Sequence, residues 1–577
     1  MVDELKHECA VAMVVLRKPP SATADYGGTK LSLLLEKQHN RGQDGAGAAI
    51  LPANPEPGSE PYWIAKSASQ TPLTDLLGMI AKREKGQDRV FLGHLRYATF
   101  GKNEVAFCHP FVHEASELSH TLLLAGNFNL TNATELFDEY RHHGSFPTSK
   151  ADGYLICELI AHELGRGERP ARPRSRGTRD PTRIIPRIAT ALSRALANAD
   201  GAWTLCGMTG DGWAFSTRDP HGIRPGFYYT DDDVAVVASE RPAIQAAFDV
   251  PPEAVKELPP GAALIVSPEG DVQIVESDKR QAAGDGSSRP CSFERIYFSR
   301  ANDANIYRER KALGAALVPQ VLAAAEAPME RIFFSYIPNS ARIAFYGLLE
   351  ELLSSKRHSP FPRFGEIAVK DAKFRTFIAD AAARREFYKH VYDVTYGLVE
   401  KDDTLVVLDD SIVRGNTMKN AILPMLDRLG PKRIVIVSSA PPIRYPDCYG
   451  IDMSTLGELI AFRALVNLLD GERGTGNGER ELRSAKDELP LNPLAPLYAR
   501  FTEEEHCREI ARLLTPPDMK AEVVVVYQTV ENLHKSLSPV PRFGDWYFTG
   551  DYPTPGGYKV LRKALLNYLD KKNERSY

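Results

Sequence analysis

A chain of 577 residues exceeds what one hydrophobic core supports and predicts two or more domains. Its 43% apolar residues, 25% charged residues and net charge of −4 describe an ordinary globular protein, with no electrostatic case for a nucleic-acid or membrane partner. Seven scattered cysteines without a Cys-x-x-Cys pair argue against a disulfide framework or zinc ribbon; with no signal-peptide blocks at the start and no apolar run near the ~20 residues of a membrane helix, a soluble cytoplasmic protein is expected.

Residues 1–8 are mostly polar and precede a strand-like apolar run, residues 9–16, that opens on Cys9. If residues 1–8 are removed, Cys9 becomes an N-terminal nucleophile whose own α-amino group, titrating near ~8, serves as its base. A lone cysteine in a strand is otherwise simply a small core residue. Short β-type runs follow at residues 48–51, 90–93, 120–124, 203–206, 234–238 and 263–266, with helix-like stretches at 153–164 and 188–197, so a layered α/β domain is expected to about residue 275. Residues 165–183, dense in Arg, Pro, Gly and Ser, read as a solvated insertion, residues 284–288 as a domain junction and residues 471–480 as a mobile loop. Beyond residue 400 the pattern becomes strand, helix, strand: residues 404–408, then Met418, Ile422, Met425, Leu426 and Leu429 at helical spacing up to Gly430-Pro431, then residues 433–437. In such a parallel unit a ligand is expected at the carboxyl end of the first strand.

At that end stands Asp409-Asp410-Ser411-Ile412-Val413-Arg414-Gly415-Asn416-Thr417. A Gly-containing turn at a helix N-terminus favours an anion, and Ser411 and Thr417 add hydroxyl donors. The two carboxylates suit ribose hydroxyls, or a Mg²⁺ that bridges a sugar and a diphosphate; the plainer alternative is that they cap the following helix. The run resembles the phosphoribosylpyrophosphate signature of the phosphoribosyltransferase family, with Asn416 in place of the more usual first Thr.

Upstream, Arg41, Arg96, Thr99, Gly126-Asn127-Phe128-Asn129 and Asp152 follow Cys9 in order. Glutamine as substrate needs a cation for its carboxylate, an anion for its ammonium and donors for the carboxamide oxyanion. The order resembles the glutamine amidotransferase domain of N-terminal-nucleophile hydrolases. That resemblance implies Cys9 as nucleophile, Arg96 on the substrate carboxylate with Thr99 nearby, Asp152 on the ammonium, Arg41 ordering the pocket, and Asn127 with the backbone N–H of Phe128 as the oxyanion hole.

Taken together, the two halves resemble the glutamine phosphoribosylpyrophosphate amidotransferase family. The resemblance implies a four-layer αββα domain at residues 9–280 after a propeptide of residues 1–8, then a phosphoribosyltransferase-type parallel α/β domain with a C-terminal extension at 281–577. It implies conversion of phosphoribosylpyrophosphate, glutamine and water to phosphoribosylamine, glutamate and diphosphate. Residues 409–417, Ser340 and Lys370 would bind the phosphoribosyl donor, with Asp409, Asp410 and Ser340 near Mg²⁺, and a homo-oligomer inhibited by purine nucleotides is implied as well. There are departures from the family pattern. Phe128 stands where the family has Gly, which raises the question of a relaxed turn or an altered hole. Asn339 and Ala341 replace an acid and a hydroxyl. Cys291 matches a position of the iron–sulfur ligands that some members carry and Cys448 lies one residue off another, but Asp545 to Gly550 stand where the C-terminal cysteine pair would be, so no cluster is expected. One rival reading, a transferase with another acceptor, is opposed by residues 409–417. Another, a degenerate nucleotide-binding regulator, would be marked by Phe128, Asn339 and Ala341.

Overall fold

The structure is a computed structural model that describes residues 8–18, 25–55, 58–84, 86–98, 104–142, 144–166, 181–276, 287–354, 361–370, 392–473, 476–487, 491–537, 543–572 and 574–576. Its first half stacks two antiparallel sheets. One contains β1 (Ala10–Leu16), β2 (Gly45–Pro52), β3 (Trp63–Ser67), β4 (Asp88–Arg96), β9 (Phe227–Thr230), β10 (Val234–Ala238) and β11 (Lys256–Glu257), in the order β11-β9-β10-β1-β4-β2-β3. The other contains β5 (Phe111–His113), β6 (Leu122–Leu130), β7 (Gly201–Thr209), β8 (Ala214–Arg218), β12 (Ala262–Val266) and β13 (Val272–Glu276), in the order β13-β12-β8-β7-β6-β5.

Strand alternation produces the layers. On β1, Val11, Met13 and Val15 face Leu123, Ala125, Cys206 and Met208 of the other sheet. Ala12, Val14 and Leu16 point the other way, to Leu31, Leu34 and Leu35 of α1 (Tyr26–Lys37), in a layer completed by α2 (Pro72–Lys82) and α6 (Arg241–Phe248). The far face of the second sheet carries α3 (Ala133–His142), α4 (Asp152–Arg166) and α5 (Pro181–Ala195), packed through Leu136, Leu155, Ile156, Ile188 and Leu192. This is the expected αββα arrangement. Helix α5 begins earlier than the sequence pattern predicts, and residues 167–180 of the Arg-rich insertion lie outside the described residues.

The second half is built on a parallel sheet, β15-β14-β18-β19-β20, from β14 (Ile332–Tyr336), β15 (Arg363–Phe364), β18 (Thr404–Asp409), β19 (Arg433–Ser438) and β20 (Glu522–Tyr527). A short hairpin, β16 (Ala368–Lys370) with β17 (Tyr392–Val394), stands apart from it. The helix expected over residues 418–429 is interrupted. Met418–Ile422 forms a wide π turn and Leu423–Asp427 an α turn, since Pro424 has no N–H to continue a regular ladder. Gly430, at φ +77°, stops it as predicted. The loop expected over residues 471–480 is mostly helical: Ile460–Arg473 and Asn477–Asp487 meet there, and fully buried Leu482 anchors the second.

The halves meet through one apolar cluster that joins Ala202 and Ile223 of the first to Phe293, Ile296, Phe298, Trp546, Tyr547 and Phe548. Asn129 Nδ2 crosses the boundary to the Cys448 carbonyl at 2.7 Å.

Candidate active sites

Antiparallel pairing of Ala10 with Leu95 sets Cys9 beside Arg96 and Tyr97. The Tyr97 N–H donates to Cys9 Sγ at 3.3 Å. Burial nevertheless pushes the thiol up to about 11, against the lowering pull of Tyr97 and the Arg96 guanidinium. Without a nearby base Cys9 is therefore a neutral thiol.

Cys9, Arg96, Tyr97, Gly126, Phe128 and Asp152 line a cavity of about 40 Å³, together with His109 and the rings of Phe107 and Phe111. Asp152 opens α4, where its Oδ1 accepts the Gly153 N–H at 2.9 Å. Burial raises its carboxyl to about 6, with Arg96 pulling the other way. A guanidinium and a carboxylate thus share the thiol's cavity, the charge pattern an amino acid's two ends require.

Asn127 is buried, and its Nδ2 has no hydrogen-bond partner among the described residues. A buried unpaired amide donor is costly unless a ligand completes it. Phe128 sits in the continuous strand β6, opposite Trp203, and is not among the positive-φ residues. No left-handed turn is needed, which resolves the tension raised by the loss of Gly. Trp203 turns both backbone groups toward Asp219: its carbonyl accepts the Asp219 N–H at 2.9 Å and its N–H donates to Asp219 Oδ2 at 3.3 Å. The pair with Phe128 is therefore the non-hydrogen-bonded kind, so the Phe128 N–H points away from β7 to the open edge of β6.

Arg41 is placed elsewhere. Its buried guanidinium binds Glu240 at 2.7 Å and Glu294 at 3.1 Å, with Glu8 at 3.7 Å, and so ties the first domain to the junction without lining the Cys9 cavity. Glu8 is itself buried and paired with Arg224. Thr99 lies outside the described residues.

The second cavity, about 770 Å³, opens at the carboxyl ends of β14 and β18 and is lined by Ser340, Asn339, Asp409, Asp410, Ser411, Ile412, Val413, Gly415 and Thr417. The first domain adds His39, Asn40 and Gln43 to its wall. Gly415 has φ +79°, and a Cβ there would lie 2.5 Å from Leu514 and 2.7 Å from Ile460, so the turn requires glycine. Asp410 accepts from the hydroxyls of Ser340 and, at 3.1 Å, Ser411, while burial raises its carboxyl above the ordinary range. Arg414 and Asn416 face away from this cavity. Arg414 pairs with Glu458 at 2.7 Å, and Asn416 is exposed. Lys370 ends β16, paired in register with Tyr392.

Arg310, on α7 (Ala304–Ala316), is a cavity residue that no spacing in the sequence signals. The carbonyls of Arg295, Tyr297 and Ser299 hold its guanidinium at 2.8, 3.0 and 2.8 Å, and burial lowers it to about 10. It places a fixed positive charge near Asp410.

Two adjacent carboxylates suit Mg²⁺, which takes one or two protein carboxylates and completes its shell with water and substrate phosphates. No group of three or more His, Cys, Asp or Glu side chains that could hold a metal on its own occurs among the described residues. Cys291 lies 3.5 Å from the Tyr547 hydroxyl, and Cys448 is buried in the same junction cluster. No helix among the described residues is long and apolar enough to cross a membrane.

No family model matches the chain. An amidophosphoribosyltransferase of Bacillus subtilis is 30% identical over 480 residues, covering 82% of this chain and 87% of that one. One of Pseudomonas aeruginosa is 31% identical over 385 residues, covering 64% and 70%. Among solved structures, a glutamine phosphoribosylpyrophosphate amidotransferase from B. subtilis complexed with ADP and GMP superposes with a TM-score of 0.65 at 25% identity, covering 95% of this chain and 97% of that one. A second, described as the allosteric regulatory enzyme of purine biosynthesis, matches in fold with a TM-score of 0.65 at 24% identity.

Proposed function

The chain belongs to the amidophosphoribosyltransferase family, and we propose that it makes phosphoribosylamine from phosphoribosylpyrophosphate and glutamine in the two cavities described, the first step of purine synthesis. The observation that carries this reading is the pairing of Arg96 and Asp152 about the Cys9 thiol, in a chain whose second cavity is lined by both domains.

In the first cavity, removal of residues 1–8 frees the Cys9 α-amino group, which takes the thiol proton. Sγ bonds to the glutamine carboxamide carbon, the C–N bond breaks, and ammonia leaves with the returned proton. Asn127 Nδ2 and the Phe128 N–H would face the oxyanion. Water then splits the thioester to glutamate.

In the second cavity, ammonia attacks the anomeric carbon as diphosphate departs. Mg²⁺ held by Asp409 and Asp410, with Ser340 nearby, would neutralise the departing diphosphate. The turn over residues 411–417 cradles the phosphate, and Arg310 balances the local carboxylates. Ammonia must stay unprotonated in transit, which favours a path shielded from bulk water. The loop from Gln38 to Asp44 supports such a path: Gly42 packs on the Arg96 backbone, where a Cβ would meet it at 2.2 Å, while His39, Asn40 and Gln43 line the second cavity. Lys370 as a ligand of the phosphoribosyl donor, a cytoplasmic homo-oligomer, and restraint by purine nucleotides belong to the same reading; the B. subtilis neighbour holds ADP and GMP.

The test is phosphoribosylamine synthesis with either glutamine or ammonia as nitrogen donor, alongside the mass of the mature N-terminus. Asp410→Asn is expected to lower both rates by ~10²-fold or more, as loss of a main electrostatic contact to the transition state does, while glutamine still alkylation-protects Cys9. A wild-type chain that makes no phosphoribosylamine from either donor, or that consumes glutamine while still starting at Met1, would refute the reading.

A further inference from the structure

Two buried histidines beside the Cys9 cavity have no part in the scheme above. His94 and His109 stack face to face, ring centroids 3.9 Å apart and planes 6° from parallel. Both address Gly126. His94 Nε2 lies 3.0 Å from its carbonyl oxygen, and His109 Nδ1 lies 3.2 Å from its N–H nitrogen.

Those contacts fix the tautomers. A carbonyl only accepts, so His94 carries its proton on Nε2 and leaves Nδ1 bare, and that atom has no partner among the described residues. The Gly126 N–H only donates, so His109 Nδ1 is bare and its proton sits on Nε2. Burial holds His94 down to about 3 and His109 well below its usual range, and two stacked cations would repel each other.

The pair occupies a structural gap. Strand β5 pairs with β6 only from Leu122 to Leu124, so the next outward-facing residue on that edge, Gly126, has no strand to bond. The two imidazoles take the missing strand's place. The following residues are Asn127, with its unpartnered amide, and Phe128, whose N–H opens on the same edge. A Cβ on Gly126 would stand 2.5 Å from Cδ2 of buried Leu205 and 3.0 Å from the Thr204 carbonyl oxygen, so a side chain there would have to shift Leu205.

We propose that His109, stacked on His94, is a positioning residue for the glutamine reaction: the two rings hold the N–H and the carbonyl of Gly126 and thereby aim Asn127 Nδ2 and the Phe128 N–H at the oxygen of the carboxamide that Cys9 attacks. The inference rests on the glutaminase reading of the Cys9 cavity. It makes both histidines neutral hydrogen-bonding struts that exchange no proton with substrate. A misplacement of about 1 Å in such a site costs ~10²-fold in rate.

The experiment compares His109→Leu, which removes the acceptor, with His109→Asn, whose amide oxygen stands where Nδ1 stood. His109→Leu is expected to lower glutamine-dependent kcat by ~10²-fold with KM for glutamine within about threefold, because an oxyanion hole acts mainly in the transition state. Ammonia-dependent synthesis serves as the control for folding and is expected to stay at the wild-type rate. His109→Asn is expected to recover most of the glutamine-dependent rate with an unchanged pH profile. Three results would overturn the proposal: His109→Leu as active as wild type, His109→Asn as impaired as His109→Leu, or equal loss of the glutamine- and ammonia-dependent rates. A wild-type protein without glutaminase activity would instead overturn the reading on which the proposal rests.

Discussion

Asp152 is where charge and pH meet in the glutamine cavity. Its carboxyl sits near 6 in the fold, above the 3.8 of a free side chain, because burial penalises the anion. Only the anion pairs with a substrate ammonium. The α-amino base, titrating near ~8, lowers kcat and kcat/KM alike as pH falls, and glutamine-dependent kcat/KM is expected to fall more steeply than kcat below about 6, since a bound ammonium pulls the Asp152 carboxyl back down. The stability sign is opposite to that of a salt-bridged acid. A raised pKa means the fold bears a cost above about 6 that is relieved between about 6 and 3.8, so acid loss of activity through this group is not unfolding. Initial rates from pH 5 to 8 with circular dichroism in parallel check both statements; a kcat/KM profile that parallels kcat below about 6 would remove Asp152 from ammonium binding.

At the scale of elements, the turn after β18 depends on Gly415. Alanine there would adopt an unfavourable positive φ and press on Leu514 and Ile460, at a cost of about 1–3 kcal/mol. Gly415→Ala is expected to raise KM for phosphoribosylpyrophosphate at least tenfold and leave glutamine hydrolysis alone, as steady-state kinetics of each half-reaction would reveal. This site was readable in sequence because its acids, hydroxyls and glycine are consecutive, and a strand feeding a helix shows their spacing directly. Arg310, His94 and His109 were not readable: each owes its place to partners on other elements, and none repeats at a period that marks a face. Phe128 misled for a related reason. Glycine at that position suggested a turn, whereas the ladder with Trp203 keeps it extended. Residues 471–480 read as a loop because their composition is polar and Gly-rich, whereas the burial of Leu482 against the junction cluster supports a helix from Asn477 to Asp487.

For the whole molecule, Arg41 is the bolt between halves. Its guanidinium joins Glu240 of the first domain to Glu294 of the junction, all three side chains almost fully buried. Arg41→Met would leave two buried carboxylates without their cation, a loss of about 3–5 kcal/mol. The thermal midpoint is expected to fall, and glutamine-dependent synthesis to fall more than ammonia-dependent synthesis, because the Gln38 to Asp44 loop that spans both cavities contains Arg41. A variant with the wild-type midpoint would show that the network is dispensable.

The same network bears on when the protein becomes active. Glu8 lies in a buried niche between Arg41, which follows α1, and Arg224, which follows β8. These two arginines approach each other only after both sheets have stacked, so the surroundings of the Glu8–Cys9 bond do not exist in the nascent chain. A cut at that bond in the folded chain removes one negative charge from between two buried arginines and leaves an amine beside the thiol.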